Sequence, residues 1–271
     1  MQRRPEIHPF CLFVCLAWLT IGMHGISAQN SPSFKFVFYN DKQGLNSVEI
    51  LSMAEDDRGF LWLAATNGVS SFDGKTFRHY TMPVVDSNLL SSSSKIEQLQ
   101  CYGKEVWCLN KVGHFYRLDR TTNTFVFTGL DIPGADTWKN KRPDYFIQFV
   151  ADSTRQCLWG KGPEGLFRFD LNTGARKLIL PLPDVAGGEI ELDQQGKIWC
   201  NAEQGILFFD PDTGEKRRFF ESIQFLEMHC QNDSKIWATS SVDTFYYIDT
   251  RSKITGWVKT NADYFFKDLK P

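Results

Sequence analysis

Ile50-Leu51-Ser52-Met53-Ala54-Glu55-Asp56-Asp57-Arg58-Gly59-Phe60-Leu61-Trp62-Leu63-Ala64-Ala65-Thr66-Asn67-Gly68-Val69-Ser70-Ser71-Phe72-Asp73-Gly74 is the stretch on which the fold turns. Residues 50–54 are apolar, a candidate innermost strand. Residues 56–59 make a turn, and residues 60–65 are a second strand carrying Trp62. Asn67-Gly68 is a two-residue hairpin signal, because both residue types accept the positive φ that such a turn needs. Residues 69–72 are a third strand. Asp73-Gly74 closes another turn, and residues 76–81 are an outer, more polar strand.

The same unit recurs along the chain. Trp62, Trp107, Trp159, Trp199 and Trp237 are separated by 45, 52, 40 and 38 residues. Six residues after each Trp stands Gly68, Gly113, Gly165, Gly205 and, in the fifth unit, Asp243. Eleven or twelve residues after each Trp stands Asp73, Asp119, Asp170, Asp210 and Asp249, each behind a Phe, Leu or Ile. A Trp-bearing repeat of this length with paired turns predicts four-stranded blades, so the fold is read as an all-β propeller with about five recognisable blades. The Trp row is predicted to be buried between blades. Asp170-Leu171-Asn172-Thr173-Gly174 and Asp210-Pro211-Asp212-Thr213-Gly214 lack the twelve-residue ligand spacing of a calcium loop and are read as turns.

The rest of the composition agrees. The 271 residues are 42% apolar and 23% charged, enough to bury a core without metal or disulfide. Aromatics are abundant, with Phe 23, Trp 8 and Tyr 8, and helical apolar periodicity is missing beyond the first thirty residues. A net charge of −2 argues against a nucleic-acid partner. Arg3 and Arg4, the apolar run of residues 10–23 and a small-residue stretch that ends Ile26-Ser27-Ala28 have the order of a secretory signal peptide. Cleavage after Ala28 is expected, which leaves a propeller over residues 29–271, no membrane span in the mature chain and a periplasmic location.

Export implies an oxidising compartment. Cys101, Cys108, Cys157, Cys200 and Cys230 then remain. They are read as buried thiols, with a Cys101–Cys108 bridge across a hairpin as the alternative. No Cys-x-x-Cys occurs and no metal site, cofactor or catalytic set is called for. His79, His114 and His229 fall in predicted strands of different units. Gly160-Lys161-Gly162-Pro163-Glu164-Gly165 matches the dinucleotide-binding pattern, but it opens into a strand where that site needs a helix N-terminus.

One interval is long. The 52-residue gap holds Trp138, Lys139, Lys141, Arg142 and Tyr145 in a connection between an outer strand and the next inner strand. Such connections share a propeller face with the loops after each Trp strand, which carry Asn67, Lys111, residues 161–164 and Glu203. An aromatic ring beside cations suits a sugar or an acidic sugar. Trp138, Lys139, Arg142, Tyr145, Lys111, Asn67 and Glu203 are therefore the predicted ligand-binding residues.

Gly44-Leu45-Asn46-Ser47-Val48, residues 55–62, Thr66-Asn67-Gly68-Val69 and Phe72-Asp73-Gly74 resemble the two-component regulator propeller repeat of the periplasmic sensor regions of bacterial hybrid histidine kinases. The resemblance covers residues 34–258 and is closest in the first unit. Where that repeat favours Gly-Thr after the Trp, this chain has Ala64-Ala65-Thr66. It implies a periplasmic ligand sensor for carbohydrate fragments whose kinase part lies outside this chain, with a membrane sensor kinase or a second copy as partner. A truncated or scaffold propeller mediating protein contacts, and a propeller lyase or glycosidase, are the alternatives. At about 42 residues per blade the chain is too short for seven blades, so an incomplete, self-associating ring is expected. Residues 34–39 and 263–267 are short aromatic strand candidates for its closure.

Overall fold

The computed structural model describes residues 36–47, 49–85, 95–135, 147–181, 189–231, 235–241 and 244–259. All described strands lie in the unit Tyr39–Pro271; of the unit Met1–Phe38 only residues 36–38 are described, and they form no strand. Residues 263–267 lie outside the described residues.

Each Trp-bearing unit forms one antiparallel four-stranded sheet, ordered as the chain runs. Sheet 1 is β1 (Ile50–Glu55), β2 (Leu61–Ala65), β3 (Gly68–Phe72) and β4 (Phe77–Tyr80). Sheet 2 is β5 (Ile96–Tyr102), β6 (Glu105–Asn110), β7 (His114–Asp119) and β8 (Thr124–Asp131). Sheet 3 is β9 (Gln148–Asp152), β10 (Cys157–Gly162), β11 (Gly165–Asp170) and β12 (Arg176–Pro181). Sheet 4 is β13 (Ile190–Leu192), β14 (Ile198–Asn201), β15 (Ile206–Phe209) and β16 (Lys216–Phe219). Sheet 5 is β17 (Glu227–Gln231), β18 (Lys235–Ser241), β19 (Thr244–Asp249) and β20 (Thr255–Lys259).

The repeated residues have separate jobs. The Asp after each third strand builds the outer turn. Asp73 accepts from the backbone N–H groups of Lys75 and Thr76 at 2.8 and 2.7 Å, and Asp249 does the same with Arg251 and Ser252 at 3.0 and 2.7 Å. These hydrogen bonds hold the Asp73 and Asp249 carboxyls below the ordinary carboxylate range. Asp170 accepts in the same way from the Asn172 and Thr173 N–H groups at 3.1 and 3.0 Å, and Asp210 from the Asp212 N–H at 2.9 Å, so turn chemistry accounts for the two motifs that superficially resemble calcium loops. In sheets 1, 2 and 4 the Gly after the second strand permits a close approach. Gly68 has φ +124° and a Cβ there would sit 2.5 Å from the Tyr80 carbonyl oxygen. Gly205, at φ +83°, would meet the Phe219 carbonyl at 2.4 Å.

The core is divided among the gaps between sheets. Four apolar clusters fill the four gaps from sheet 1 to sheet 5, each centred on a Trp. Trp62, Trp107, Trp159 and Trp199 are at most 3% exposed. The indole N–H of Trp62, Trp159 and Trp199 donates to Asp56, Asp152 and Asp193 in the turn before its own strand, at 3.1, 3.1 and 2.8 Å. In sheet 2 no Asp stands there, and the Trp107 N–H has no acceptor among the described residues.

Trp237 corrects the expectation of five equivalent buried rings. It is only half-buried, with its N–H on Gln231 at 2.7 Å. Its row, Trp237–Tyr247, lies on the side of sheet 5 away from sheet 4. Sheets pack in the order 1-2-3-4-5, and no comparable contact joins sheet 5 to sheet 1 among the described residues. Without a further described sheet on that side, the Trp has nothing large to pack under.

Candidate functional site

The inner strands β1, β5, β9 and β13 belong to different sheets and face a common axis. Each carries an edge of unpaired backbone groups, which a neighbouring strand would otherwise seek. Side chains satisfy them from one sheet to the next. Ser52 accepts from the Leu99 N–H at 3.1 Å. Gln98 brackets Phe149, accepting from its N–H at 2.6 Å and donating to its carbonyl at 3.0 Å. Gln148 accepts from the Ile190 N–H at 3.2 Å, and Glu189 accepts from the Met228 N–H. Polar inner residues thus take the place of a hydrogen-bonded ladder between blades.

These strands enclose a cavity of about 480 Å³ along the axis. Its polar lining includes Glu97, Gln98, Gln100, Gln148, Glu189 and Glu191. Burial raises the Glu189 carboxyl, and Glu227 adds to it, while the Met228 N–H works in the other direction. Burial lifts Glu191 furthest, to about 7, opposed by His229, whose Nδ1 is 3.5 Å from its carboxylate. Near this end Lys161 is fully buried at the tip of β10 and donates to the Asn201 carbonyl at 2.6 Å. Burial lowers its ammonium to about 8, against the pull of Cys200 and Glu189. Asn201 is 1% exposed, and its side-chain amide has no hydrogen-bond partner among the described residues. The arrangement offers acceptors, amide donors and one carboxyl poised near neutrality, the inventory that binds hydroxylated or cationic groups.

The predicted ligand face is partly visible. Trp138, Lys139, Arg142 and Tyr145 lie outside the described residues. Asn67, Lys111 and Glu203 sit in the β2–β3, β6–β7 and β14–β15 loops, at one end of three different sheets. Asn67 and Glu203 are exposed and Lys111 is half-buried. The Asn67 amide donates to the Asn46 carbonyl at 2.8 Å, which ties its loop to the segment entering β1. No hydrogen bond or ion pair joins these three side chains to one another among the described residues. The axial Glu and Gln residues escaped the sequence reading, although a signal existed: Ser52, Glu189 and Glu227 all stand ten residues before a repeat Trp.

Other sequence features resolve simply. Gly160 to Gly165 spans the β10–β11 hairpin and opens into a strand. All five described cysteines are free thiols, so the Cys101–Cys108 bridge is not formed. Burial pushes the Cys101 thiol up to about 12 and Cys157 to about 11, which makes them poor nucleophiles. Among the described residues no group of three His, Cys, Asp or Glu is placed to hold a metal ion. Among them also, no helix is long and apolar enough to cross a membrane.

No family model matches the sequence, and no curated protein matches it. Solved structures do match. One is the extracellular domain of a hybrid two-component system from B. thetaiotaomicron, at 17% identity and TM-score 0.58, over 78% of this chain and 31% of that one. The chain shares its β-propeller fold with that extracellular domain. It spans about 31% of that domain's length. A catalytically inactive virginiamycin B lyase from Staphylococcus aureus, solved with quinupristin, is similar at 16% identity and TM-score 0.60, over 79% of this chain and 70% of that one. YCF48 from Cyanidioschyzon merolae is similar at 11% identity and TM-score 0.55, over 78% and 71%. At these identities the likenesses establish the fold alone.

Proposed function

We propose that this chain is the ligand-sensing propeller of a two-component signalling system, exported by the segment of residues 1–28 and acting in the periplasm on carbohydrate fragments. The fold shared with a two-component extracellular domain supports the sensor class. The observation that carries the ligand class is the axial cavity, whose amides and carboxylates match the donors and acceptors of sugar hydroxyls. Trp138, Lys139, Arg142 and Tyr145, with Asn67, Lys111 and Glu203, supply the outer binding face in this reading. Signal output belongs, in the same reading, to a partner kinase.

A glycan array probed with the exported protein tests it. Binding to a defined oligosaccharide is expected, and Trp138→Ala combined with Arg142→Ala should abolish it with the melting temperature unchanged. Silence across the array contradicts the ligand class. A propeller lyase or glycosidase is the second reading, favoured by Glu191 beside His229: a carboxyl near neutrality next to an imidazole can exchange a proton with substrate. Turnover of a bound glycan that disappears in Glu191→Gln would establish the enzyme, and binding without turnover supports the sensor.

A further inference from the structure

The gap between sheets 1 and 2 differs from the other gaps at its outer rim. In every sheet the repeat Trp pairs across the second and third strands with one residue, which sets how full the rim is. Trp107 faces Arg117, Trp159 faces Arg168, Trp199 faces Phe208 and Trp237 faces Tyr247. Trp62 faces Ser71, and the row continues to Arg78. A cleft of about 490 Å³ lies there, with Ser71 in its lining. That size lies within the range of small-molecule sites, which run from about 300 to 1,000 Å³.

Its walls are cationic. Arg58, Arg78 and Arg120 all line it, with their guanidinium carbons 5.1, 5.4 and 5.9 Å from the ring centres of Phe60, Tyr80 and Trp62. The aromatic faces hold the three forks in place. Asn123, with its amide oxygen turned to Arg78, accepts from that guanidinium at 2.7 Å. Against the three cations stand two carboxylates. Asp56 already accepts from the Trp62 indole and from the N–H groups of Arg58 and Phe60. Its contacts with Arg120 and Arg58 are long, 3.3 and 3.7 Å. Asp73 is spent in its own turn.

The gap between sheets 3 and 4 is the internal control. There Arg155 is clamped between Asp152 at 2.8 Å and Asp212 at 2.7 Å, and Lys197 between Asp210 and Asp212 at 2.8 and 3.1 Å. Asp212 lies two residues after the repeat Asp210. The same place in sheet 2, two residues after Asp119, is Thr121. Thus the rim of the first gap holds three arginines, lacks the counterpart of Asp212 that neutralises the cations of the third gap, and has room beside them.

We propose that this cleft binds a small organic oxyanion, a carboxylate, sulfate ester or phosphate ester, gripped by Arg58, Arg78 and Arg120 with its body in the space left by Ser71. Guanidinium forks match such planar or trigonal oxygen arrays in two-point hydrogen bonds. The site is independent of the sensor reading and of the face bearing Asn67, Lys111 and Glu203.

Calorimetric titration of the exported chain tests it with glucuronate, glucose 6-sulfate and glucose 6-phosphate, which set the three oxyanions on one body, and with glucose as the neutral probe. At least one anionic sugar should bind, more weakly as salt rises, while any heat from glucose should be indifferent to Arg78→Ala. Arg78→Ala, an exposed substitution, should weaken binding about tenfold or more. Ser71→Phe, which copies Phe208 of sheet 4, should abolish it. Trp138→Ala with Arg142→Ala should leave it unchanged, which separates this site from the proposed glycan face. The proposal is overturned if all three anionic sugars fail to bind, or if Arg78→Ala binds each of them like the parent. If Ser71→Phe does not fold, Arg78→Ala combined with Arg120→Ala decides the matter, with circular dichroism as the folding control.

Discussion

At the scale of single residues, the five repeat Trp side chains form a controlled series. Trp199 is fully buried among Ile206, Phe208 and Met228 and hydrogen-bonded to Asp193, whereas Trp237 has its ring partly in solvent. Trp199→Ala should therefore cost about 3 to 5 kcal/mol in denaturant unfolding, and Trp237→Ala about half of that. Equal losses would mean that sheet 5 is covered as the other sheets are. Glu191 provides a second residue-scale test. Its carboxyl is raised from the ordinary 4.5 to about 7 mainly by burial. The folded state then holds a proton that the unfolded chain releases, so the stability contributed is full below pH 4.5 and is lost as pH rises through 7. The turn aspartates, such as Asp210 held at about 2, act in the opposite sense and only in more acid solution. Glu191→Gln should therefore flatten the stability profile between pH 4.5 and 7. An unchanged slope in that window would show that Glu191 is solvated in the folded chain.

At the scale of elements, the hairpins and strands were the legible part of the sequence. Asp73-Gly74 and the Trp62 strand fall where the residue types require, with strand ends shifted by one residue, as at Leu61–Ala65, whereas the first hairpin turns on Thr66-Asn67, one residue earlier than expected, and Gly68 already pairs with Ala65 in β3. Local turn chemistry is written in neighbouring residues, so a single sequence carries it. Gly68 and Gly74 differ in a way the sequence does not reveal. Gly74 has φ +91°, and a Cβ there would have nothing within 4 Å, while Gly68 lies against the Tyr80 carbonyl. Gly74→Ala should cost about 1 to 2 kcal/mol for the left-handed backbone alone. Gly68→Ala should cost about 3 kcal/mol or more, since backbone strain and overpacking add. Melting curves of the two variants compare them directly, and a Gly68 variant as stable as the Gly74 variant would contradict the close approach. The axial and rim sites were less legible for the same reason. Glu191 meets His229, and Arg120 meets Asp56, only because different sheets turn the same edge to one axis or one gap. Such meetings depend on inter-sheet register, which no local pattern encodes.

At the scale of the whole molecule, the account rests on a series of sheets that bury four Trp-centred gaps and leave the Trp237 face of sheet 5 without a partner sheet among the described residues. Phe245 and Val258 on that face are 36% and 47% exposed. Sheet 1 at the other end presents Phe72 and Phe77, stacked at 4.5 Å and met edge-on by Tyr39. Apolar faces of this kind associate in water. Repetition of Trp, Gly and Asp made the number of sheets readable, but closure was not, because it depends on how the two end faces meet rather than on any one unit. The most direct test is size-exclusion chromatography with light scattering on the purified protein. The account predicts a concentration-dependent mass above that of one chain, reduced toward the monomer by Trp237→Lys on the open face. A compact monomer at all concentrations, with a cooperative melt above about 55 °C, would contradict it and require that sheets 1 and 5 close on each other.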